Sequence, residues 1–595
     1  FASACPSCGR TFQCLAPQFS GRLADRAAMV QVWEVVGGAD KGGILVRDGQ
    51  ATSSAQLEER LATGALVEEL ELKGDRLQYR RLSGTGPETG WVSLQITGKT
   101  LLVGRPDESI ELRCERELEK AAVPWSLLGP EQLEKHEQVA KGMLFGLEFP
   151  WTAETLERMG AAWCTQAFHA AGTLSRGNSV SKVKDVKQYI GGGASAKMIF
   201  DVEYAKPSEG LHTKLFAKIP WPNKDKTRSD RMLATLLSQA YGERAEINAS
   251  RLLESRLTVR VPKFYFGDIS NESTNWILIT ERIPFDQQEG ENKVDPAYEK
   301  CRDWELKGDV RDYYYLLVRV GARVSGAYCT EKLAPKATLD KFFDNSSARQ
   351  MHEWSKPEPE AEFDRKFKFA LDFLQIHAKA IFPEAIATAE FAKSYRHVLA
   401  TVNAYKGEIE WWCQRKPEYV AWCHGNLNVD NVFFWRDPAG KLDCGVLDWG
   451  GASTSSLGWK LWWWLYGCEY EFLNDNIDGL LKCFIDELHA NGGPPLEFEE
   501  LKLQFVLAAM SQGVGLLGAV PQIYGMCAKK QWETITERRD PRIAENVHGK
   551  NTLRIYISNF SCLCRMISEW GIPDILDKWV DEFCELTKSP KKTVA

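Results

Sequence analysis

The chain has 595 residues, of which 44% are hydrophobic and 26% are charged, and its formal net charge is −7 at pH 7. This composition is that of a globular protein and excludes a disordered or collagen-like chain. It shows no basic domain or stripe of the kind typical of nucleic-acid binding, so we expect no nucleic-acid partner. At roughly 100–200 residues per domain, the length allows about three to five domains.

The sixteen cysteines are mostly isolated along the chain, unlike those of a small disulfide-rich secreted domain. We therefore expect reduced, buried thiols and a cytoplasmic protein. Cys5 and Cys8 form a C-x2-C motif, which is half of a tetrahedral zinc site, but no second such motif follows. Residues 1–27 are interpreted as a leader remnant. Because the sequence begins at Phe1, a targeting signal further upstream stays open as an alternative.

Residues 28–105 are predicted to form a small all-β barrel. Short runs of β-branched and aromatic residues alternate with turn signals such as Lys73-Gly74-Asp75. About five or six short strands in a segment of this length are typical of a small barrel. The closing sequence Gly90-Trp91-Val92-Ser93 resembles that of SH3-like domains. We expect a structural or docking module, which could bind a protein partner.

The rest of the chain is predicted to be a linker followed by one long unit. Residues 106–150 are charged and interrupted by prolines, which indicates a linker with short helices. The unit at 151–595 begins with Thr152, which is suited to capping a helix. The uncharged run 505–528 contains glycines, glutamines and a proline. It is predicted to be a buried core helix rather than a membrane span, and we expect no membrane association.

The strongest chemical signal lies between residues 420 and 452. His424 begins a loop that ends at Asn431, and Asp448 stands at the end of a later apolar strand. The apolar residues around them predict a buried hairpin that presents Asn431 and Asp448 side by side. Amide and carboxylate oxygens are the hard ligands that magnesium prefers, so the pattern predicts a Mg²⁺ site at Asn431 and Asp448.

This region resembles the motifs of aminoglycoside phosphotransferases and choline-kinase-like proteins, including their ecdysteroid-kinase-like branch. The resemblance is carried by His424-Gly425-Asn426-Leu427-Asn428-Val429-Asp430-Asn431 and by Leu447-Asp448-Trp449. It implies an α+β, protein-kinase-like two-lobed fold after the small barrel, with an N-lobe at 151–285 and a helical C-lobe at 286–595. It also implies ATP and Mg²⁺ as cofactors and a small-molecule hydroxyl as the acceptor.

Residues upstream occur in the order that this family shows. Gly191, Gly192 and Gly193 break a β-like run, and glycines let backbone N–H groups approach phosphate oxygens. Lys218 then lies inside an apolar strand, where a buried lysine needs a partner. The resemblance implies that this lysine contacts nucleotide phosphates and pairs with a glutamate on a helix.

The partner of Lys218 and the nucleotide hinge are expected in the segment between residues 243 and 283. Glu246 is the expected partner, and Glu243 is the alternative one turn earlier. The resemblance implies a hinge around Thr280, Glu281 and Ile283 that holds adenine through backbone groups.

The aromatic run after Asp448 extends from Trp459 to Tyr466. Its members have helical spacing, which predicts that part of the set is buried in the core. The alternative is that they form a wall of the acceptor pocket.

The catalytic loop departs from the family pattern at Asn426, where the family has the Asp that accepts the substrate proton. A neutral amide cannot act as that base. General-base catalysis contributes about 10²–10⁴-fold, whereas phosphoryl transfer depends mainly on positioning and charge neutralisation. One hypothesis is a small-molecule kinase of unusual mechanism, with Asn426, His424 and Lys218 as its catalytic residues. The other is a pseudokinase that binds nucleotide or a protein partner as a scaffold. Asp430 is a nearby carboxylate, but alternation beside Asn431 predicts that it points away.

Overall fold

The computed structural model describes three stretches, 32–104, 138–220 and 243–594, apart from positions 176, 191–194, 209, 271, 274, 290–291, 338, 340–342, 344–355 and 549–550. The predicted leader, the linker up to 137 and the glycine run Gly191–Gly193 lie outside the described residues. The chain divides into two compact units, 1–109 and 110–595. The described parts combine sheets and helices, which confirms the predicted α+β class.

The described part of the first unit is built from short strands. They are β1 (Val32–Val35), β2 (Ile44–Arg47), β3 (Gln56–Leu61), β4 (Leu66–Lys73), β5 (Arg76–Ser83), β6 (Thr89–Ser93), β7 (Gln95–Ile96), β8 (Lys99–Thr100) and β9 (Leu102–Gly104). Seven of these form one antiparallel sheet in the order β3-β2-β6-β5-β4-β1-β9. Gly74, with φ 61°, makes the predicted turn between β4 and β5. The SH3-like resemblance and the docking role stay predictions.

The second unit begins with a helix packed on an antiparallel sheet. The sheet contains β10 (Val180–Ile190), β11 (Ala196–Tyr204), β12 (Lys214–Ile219), β13 (Phe264–Ile269) and β14 (Trp276–Glu281), in the order β10-β11-β12-β14-β13. Helix α1 (Ala153–Ala171) is capped by Thr152, whose hydroxyl accepts a hydrogen bond from the Thr155 N–H, so the predicted cap is confirmed. Leu156 and Trp163 of α1 pack on one face of the sheet.

A short helix lies between β12 and β13 in the chain and packs against the last two strands of the sheet. This is α2 (Glu243–Asn248), which continues as a π-helical turn over Ala249–Leu253. Ile247 anchors it in a cluster with Phe264 and Trp276 of the last two strands. π-Helical turns inside helices are frequent at functional sites, and this one directly follows the helix that carries Glu246.

The remaining part is mainly helical. Its helices are α3 (Val310–Cys329), α4 (Glu360–Asp372), α5 (Ala389–Ala404), α6 (Lys406–Gln414), α7 (Leu457–Leu465), α8 (Tyr470–Ala490), α9 (Phe498–Leu517), α10 (Val520–Met526), α11 (Pro541–Ala544), α12 (Leu553–Glu569) and α13 (Ile572–Thr587). Its strands are paired two by two: β15 (Gln288–Glu289) with β16 (Asn292–Lys293), β17 (Val420–Cys423) with β20 (Ser453–Ser456), β18 (Val432–Arg436) with β19 (Leu442–Val446), and β21 (Val547–His548) with β22 (Asn551–Thr552).

Helix α9 occupies the centre of the helical core. Leu507, Ala508, Ala509 and Met510 are fully buried there, so the first part of the run 505–528 lies in a core helix as predicted. The prediction of one helix over the whole run is wrong, because α9 ends at Leu517 and α10 begins at Val520. Among the described residues, no single helix has the length and hydropathy of a membrane span, although α9 and α10, which meet at a bend of 61°, reach them as a pair. The described cysteines are free thiols and most are buried, as expected.

Close packing of α3 against α7 generates a stability prediction. A Cβ atom added at Gly321 would stand 2.3 Å from the ring of Trp464, whereas one added at Gly515 of α9 would meet nothing within 4 Å. We expect Gly321→Ala to destabilise the protein by about 1–3 kcal/mol through overpacking. The matched control, Gly515→Ala, is expected to stabilise by up to about 1 kcal/mol through helix propensity. The midpoint of urea unfolding, followed by tryptophan fluorescence, measures both; shifts in the same direction would contradict this packing.

Candidate functional site

Lys218 lies at the centre of the candidate site. Its Nζ donates hydrogen bonds to Glu246 Oε2 and to Asp448 Oδ1, both at 2.7 Å. Burial by itself would lower the pKa of Lys218, but the carboxylates of Asp448 and Glu246 more than offset this effect and raise it. Lys218 is therefore a fixed cation between two carboxylates. The expected pairing with Glu246 is present, while the side chain of Glu243 lies outside the described residues.

Asp448 follows the hairpin that the sequence predicts. Val432 of β18 pairs with Val446 of β19, and the Leu447 N–H donates to the Asn431 carbonyl at 2.8 Å. Asn431 and Asp448 therefore lie at the same end of the hairpin. Asp448 has a left-handed backbone with φ 55°, a conformation that Asp tolerates better than most residues do. Partial removal from water raises the pKa of Asp448, whose side chain stays about half exposed, but the nearby ammonium groups of Lys218 and Lys197 reverse this and lower it.

The amide of Asn431 is oriented by the catalytic loop. Its Nδ2 donates to the Asn426 carbonyl at 2.7 Å, which fixes the amide plane. Its Oδ1 lies in the same plane and is directed away from the Asn426 carbonyl. The amide oxygen of Asn431 and the carboxylate of Asp448 thus provide two hard oxygen donors at one hairpin end, as the sequence predicts.

The side chain of Asn426 is held by its neighbour Asn428. The Nδ2 of Asn428 donates to Asn426 Oδ1 and also to the Trp463 carbonyl, the latter at 2.9 Å. The oxygen of the Asn426 amide is engaged as an acceptor from Asn428. The second polar atom of this side chain is its amide nitrogen, which can only donate hydrogen bonds. The position therefore offers a hydrogen-bond donor where the resembled enzymes have a carboxylate.

His424 supports the loop through both ring nitrogens. The Asn426 N–H donates to Nδ1 at 3.0 Å, and Nε2 lies 2.9 Å from the Leu447 carbonyl. Nδ1 must therefore accept and Nε2 must carry the proton, which is the neutral tautomer. Burial lowers the pKa of His424 to about 4, in agreement with this tautomer. Since both nitrogens are bound to backbone groups, we assign His424 to positioning of the loop and of the segment before Asp448.

Glycine is required after His424 because the chain returns close to it. A Cβ atom at Gly425 would stand 2.5 Å from the carbonyl oxygen of Gly451. Trp449, between Asp448 and this turn, packs its ring against His424 at 5.0 Å and stacks on Trp422 at 5.7 Å. The His-Gly and Asp-Trp pairs are thus one packed unit.

Helix α7 supports the start of the loop 424–431 through hydrogen bonds to backbone carbonyl groups. Lys460 Nζ donates to the Cys423 carbonyl at 3.1 Å, and Trp464 Nε1 donates to the His424 carbonyl at 3.0 Å. Trp462 and Trp464 are fully buried, which places them in the core, whereas Trp463 is partly buried. The sequence pattern does not reveal this support, because helical spacing identifies a buried face but not its hydrogen-bond partners.

The predicted hinge residues lie at the end of β14 and just after it. Thr280 pairs in register with Phe216 of β12, and the Glu281 N–H donates to the Lys263 carbonyl at 2.8 Å. The backbone N–H of Glu281 is thus already bound within the sheet. Ile283 lies beyond the sheet and packs with Phe433 and Val294, beside Leu447. Ile283 is buried, and its carbonyl accepts from the Phe285 N–H at 3.0 Å. The nucleotide contact expected of these three residues stays a prediction.

Arg260 joins this hinge to the hairpin, and no pattern in the sequence indicates it. Its guanidinium donates to Glu281 Oε1 at 2.7 Å and to Glu289 Oε1 at 2.6 Å. It also lies over the ring of Phe433, with its central carbon 5.1 Å from the ring centroid. The Arg260 carbonyl accepts from the Val446 N–H at 2.8 Å, so the segment before β13 is tied to the strand that leads to Asp448.

Asp430 is paired away from the site, as expected, but not because of strand alternation: it lies in a 3-10 turn over Val429–Asn431, and the strand begins only at Val432. Its Oδ2 lies 2.9 Å from Lys300 Nζ, and both side chains are largely buried. Its Oδ1 is buried and has no hydrogen-bond partner among the described residues. Burial would lower the pKa of Lys300, but Asp430 and Tyr466 raise it. Asp430 is therefore the counter-charge of Lys300, which argues against its use as a substitute base.

No protein family and no curated protein matches this sequence. Solved structures similar to the chain include a microcompartment-associated aminopropanol kinase, with 9% identity and a TM-score of 0.35, covering 66% of this chain and 94% of that one. Choline kinase from Cryptosporidium parvum Iowa II has 11% identity and a TM-score of 0.30, covering 68% and 92%. The GDP complex of aminoglycoside 2'-phosphotransferase-IIIa has 12% identity and a TM-score of 0.30, covering 66% and 94%. Because the likeness is weak, function is inferred from this chain's own residues.

The buried pair of Lys300 and Asp430 generates a second stability prediction. Removing one partner leaves the other as an uncompensated buried charge, which destabilises a protein by about 3–5 kcal/mol when burial is complete. Because both side chains keep some solvent contact, we expect Lys300→Met to destabilise by about 2–4 kcal/mol. The double variant Lys300→Met with Asp430→Asn should recover most of that loss. Urea unfolding of the variants measures this coupling, and additive losses in the double variant would refute it.

Proposed function

We propose that the second unit binds a magnesium–nucleoside triphosphate and transfers its terminal phosphoryl group to a hydroxyl of a small molecule. The single observation that carries the proposal is the contact of Lys218 with both Glu246 and Asp448 at 2.7 Å. The buried ammonium of Lys218 and its two carboxylate partners bring together strand β12, helix α2 and the end of the hairpin. Asn431, at the same hairpin end, completes the set of polar groups.

The donor chemistry of the site fits a magnesium ion. Asp448 is anionic, about half of its side chain is exposed, and only Oδ1 is engaged with Lys218. The amide oxygen of Asn431 is the second donor, and ions of this type keep several waters and substrate oxygens as further ligands. Asp448 and Asn431 would hold the ion. When bound, it neutralises charge on the phosphate oxygens.

The chain's own residues contribute positioning and charge. Lys218 contributes a positive charge for the phosphate oxygens, and Ile283 packs with Phe433 in a buried apolar cluster beside the predicted hinge. In the transfer, the acceptor oxygen forms a bond to the terminal phosphorus while the bond from phosphorus to the leaving diphosphate breaks. Asn426 cannot take the hydroxyl proton, so its amide N–H groups are proposed to orient the acceptor oxygen or a phosphate oxygen, and the proton leaves to solvent.

Nucleotide binding by the full chain tests this proposal. We expect Lys218→Met and Asp448→Asn each to weaken Mg-ATP binding about 10- to 100-fold, the range for losing an interaction with a charged group. The matched control is Lys214→Ala, which removes an exposed lysine from the same strand and should leave affinity unchanged. Isothermal titration calorimetry measures the affinities, and thermal unfolding shows that each variant is folded. A folded wild-type chain that binds no Mg-ATP would contradict the proposal.

A second candidate function is a nucleotide-binding scaffold without turnover, with residues 28–105 as the module for a protein partner. It is favoured by one observation, the amide of Asn426 at the position of the catalytic carboxylate. Under this alternative, the geometry around Lys218 serves binding only. The two functions share the nucleotide site and differ in chemistry.

The variant Asn426→Asp separates the two candidates. If only the base is missing, the new carboxylate can accept from Asn428 Nδ2 as the amide does, and turnover should rise about 10²–10⁴-fold at unchanged ATP affinity. ADP formation with water as acceptor, followed in single turnover, measures this without a known substrate. Asn428→Ala in the same background should reduce the gain, because it removes the group that orients residue 426. Equal ADP formation by wild type and Asn426→Asp would instead favour the scaffold.

A further inference from the structure

The face of the sheet opposite α1 carries a second lysine beside Lys218. In the antiparallel pair of β11 and β12, Lys197 stands directly opposite Lys218. Directly opposed residues in an antiparallel pair have their side chains on the same face, with Cβ atoms about 4.5–5.5 Å apart. Lys197 therefore shares the face from which Lys218 reaches Asp448.

Burial along the two strands supports this orientation. Alternate residues of β11, such as Ala196 and Met198, are fully buried and pack towards α1, as do Ala217 and Ile219 of β12. Lys197 has the opposite parity and is only half-buried. Because strand side chains alternate between faces, Lys197 is directed away from α1 and into the space between the sheet and the hairpin end.

The ammonium of Lys197 is fixed rather than free to move. Its Nζ donates to the Ser195 carbonyl at 2.9 Å and to Ser195 Oγ at 3.2 Å, and Ser195 itself is buried. The positive charge of Lys197 acts on the hairpin end, since it is one of the groups that lower the pKa of Asp448. The site thus contains a second positioned cation besides Lys218.

We propose that Lys197 is a second phosphate-binding residue, which contacts the polyphosphate of the nucleotide alongside Lys218. The inference rests on the proposed function and deepens it. Lys218 lies between two carboxylates, which offset its positive charge. Lys197 adds a positive charge on the same face, and its ammonium donates to neutral oxygens of Ser195. It also supplies ammonium donors to phosphate oxygens, which form strong charge-assisted hydrogen bonds.

The test compares ATP with adenosine, which carries no phosphate. In Lys197→Ala, we expect Mg-ATP affinity to fall about 10- to 100-fold and adenosine affinity to stay unchanged. Lys197→Arg should restore part of the ATP affinity, because it retains the charge. Lys214→Ala, on the same face of the sheet, is the matched control and should leave both affinities unchanged. Calorimetry at two salt concentrations adds a readout, because loss of a phosphate contact reduces the salt dependence of ATP binding.

The possible failures are distinguishable. Equal losses of ATP and adenosine affinity in a folded Lys197→Ala protein would show a structural role and overturn the inference alone. Unchanged ATP affinity in this variant, together with a loss in Lys218→Met, would also overturn it while the proposed function stands. A folded wild-type chain that binds neither ligand would overturn both.

Discussion

A buried ammonium group requires nearby negative charge, and the candidate site is organised by this constraint. Lys218 satisfies it with Glu246 from a helix and Asp448 from the hairpin end, and each contact places one element relative to the sheet. Asp448 and Asn431 both lie at the end of this hairpin. There Asp448 has a left-handed backbone, and the amide of Asn431 is held by a hydrogen bond. The site is accordingly a tertiary feature: no two of its charged groups are neighbours in sequence, yet their positions are mutually dependent.

The rest of the catalytic loop is held by backbone contacts. His424 bridges two backbone segments, and α7 binds successive carbonyl groups through Lys460 and Trp464. Such support fixes positions without placing a further carboxylate in the site; the one charge it adds is the buried ammonium of Lys460. In that setting a neutral residue at 426 is electrostatically consistent, since a carboxylate there would add a third negative charge near Asp448. The loop thus has a polar, uncharged residue at its centre, which is compatible with both candidate functions.

Much of the secondary structure and of the site could be predicted, because the relevant patterns are local. Alternation of apolar residues predicts β11, an apolar run predicts β12, Thr152 marks the start of α1, and the spacing from His424 to Asn431 locates the loop. Turn chemistry at Gly74 predicts a hairpin in the first unit. Glu246 is the expected partner of Lys218, and the structure shows this contact.

What escaped prediction depends on partners that are distant in sequence. Lys197, Arg260 and Lys300 look like ordinary surface cations in the sequence, because nothing local shows which strand, ring or carboxylate each will meet. Local patterns specify which polar residues the candidate site can use and their order along the chain: Lys218, Glu246, the loop from His424 and Asp448. Which of them meet, that Asp430 pairs with Lys300 and that Lys197 stands beside Lys218 depend on the folded arrangement. Strand register and helix packing, which arise from burial of the whole core, set the distances between these charges.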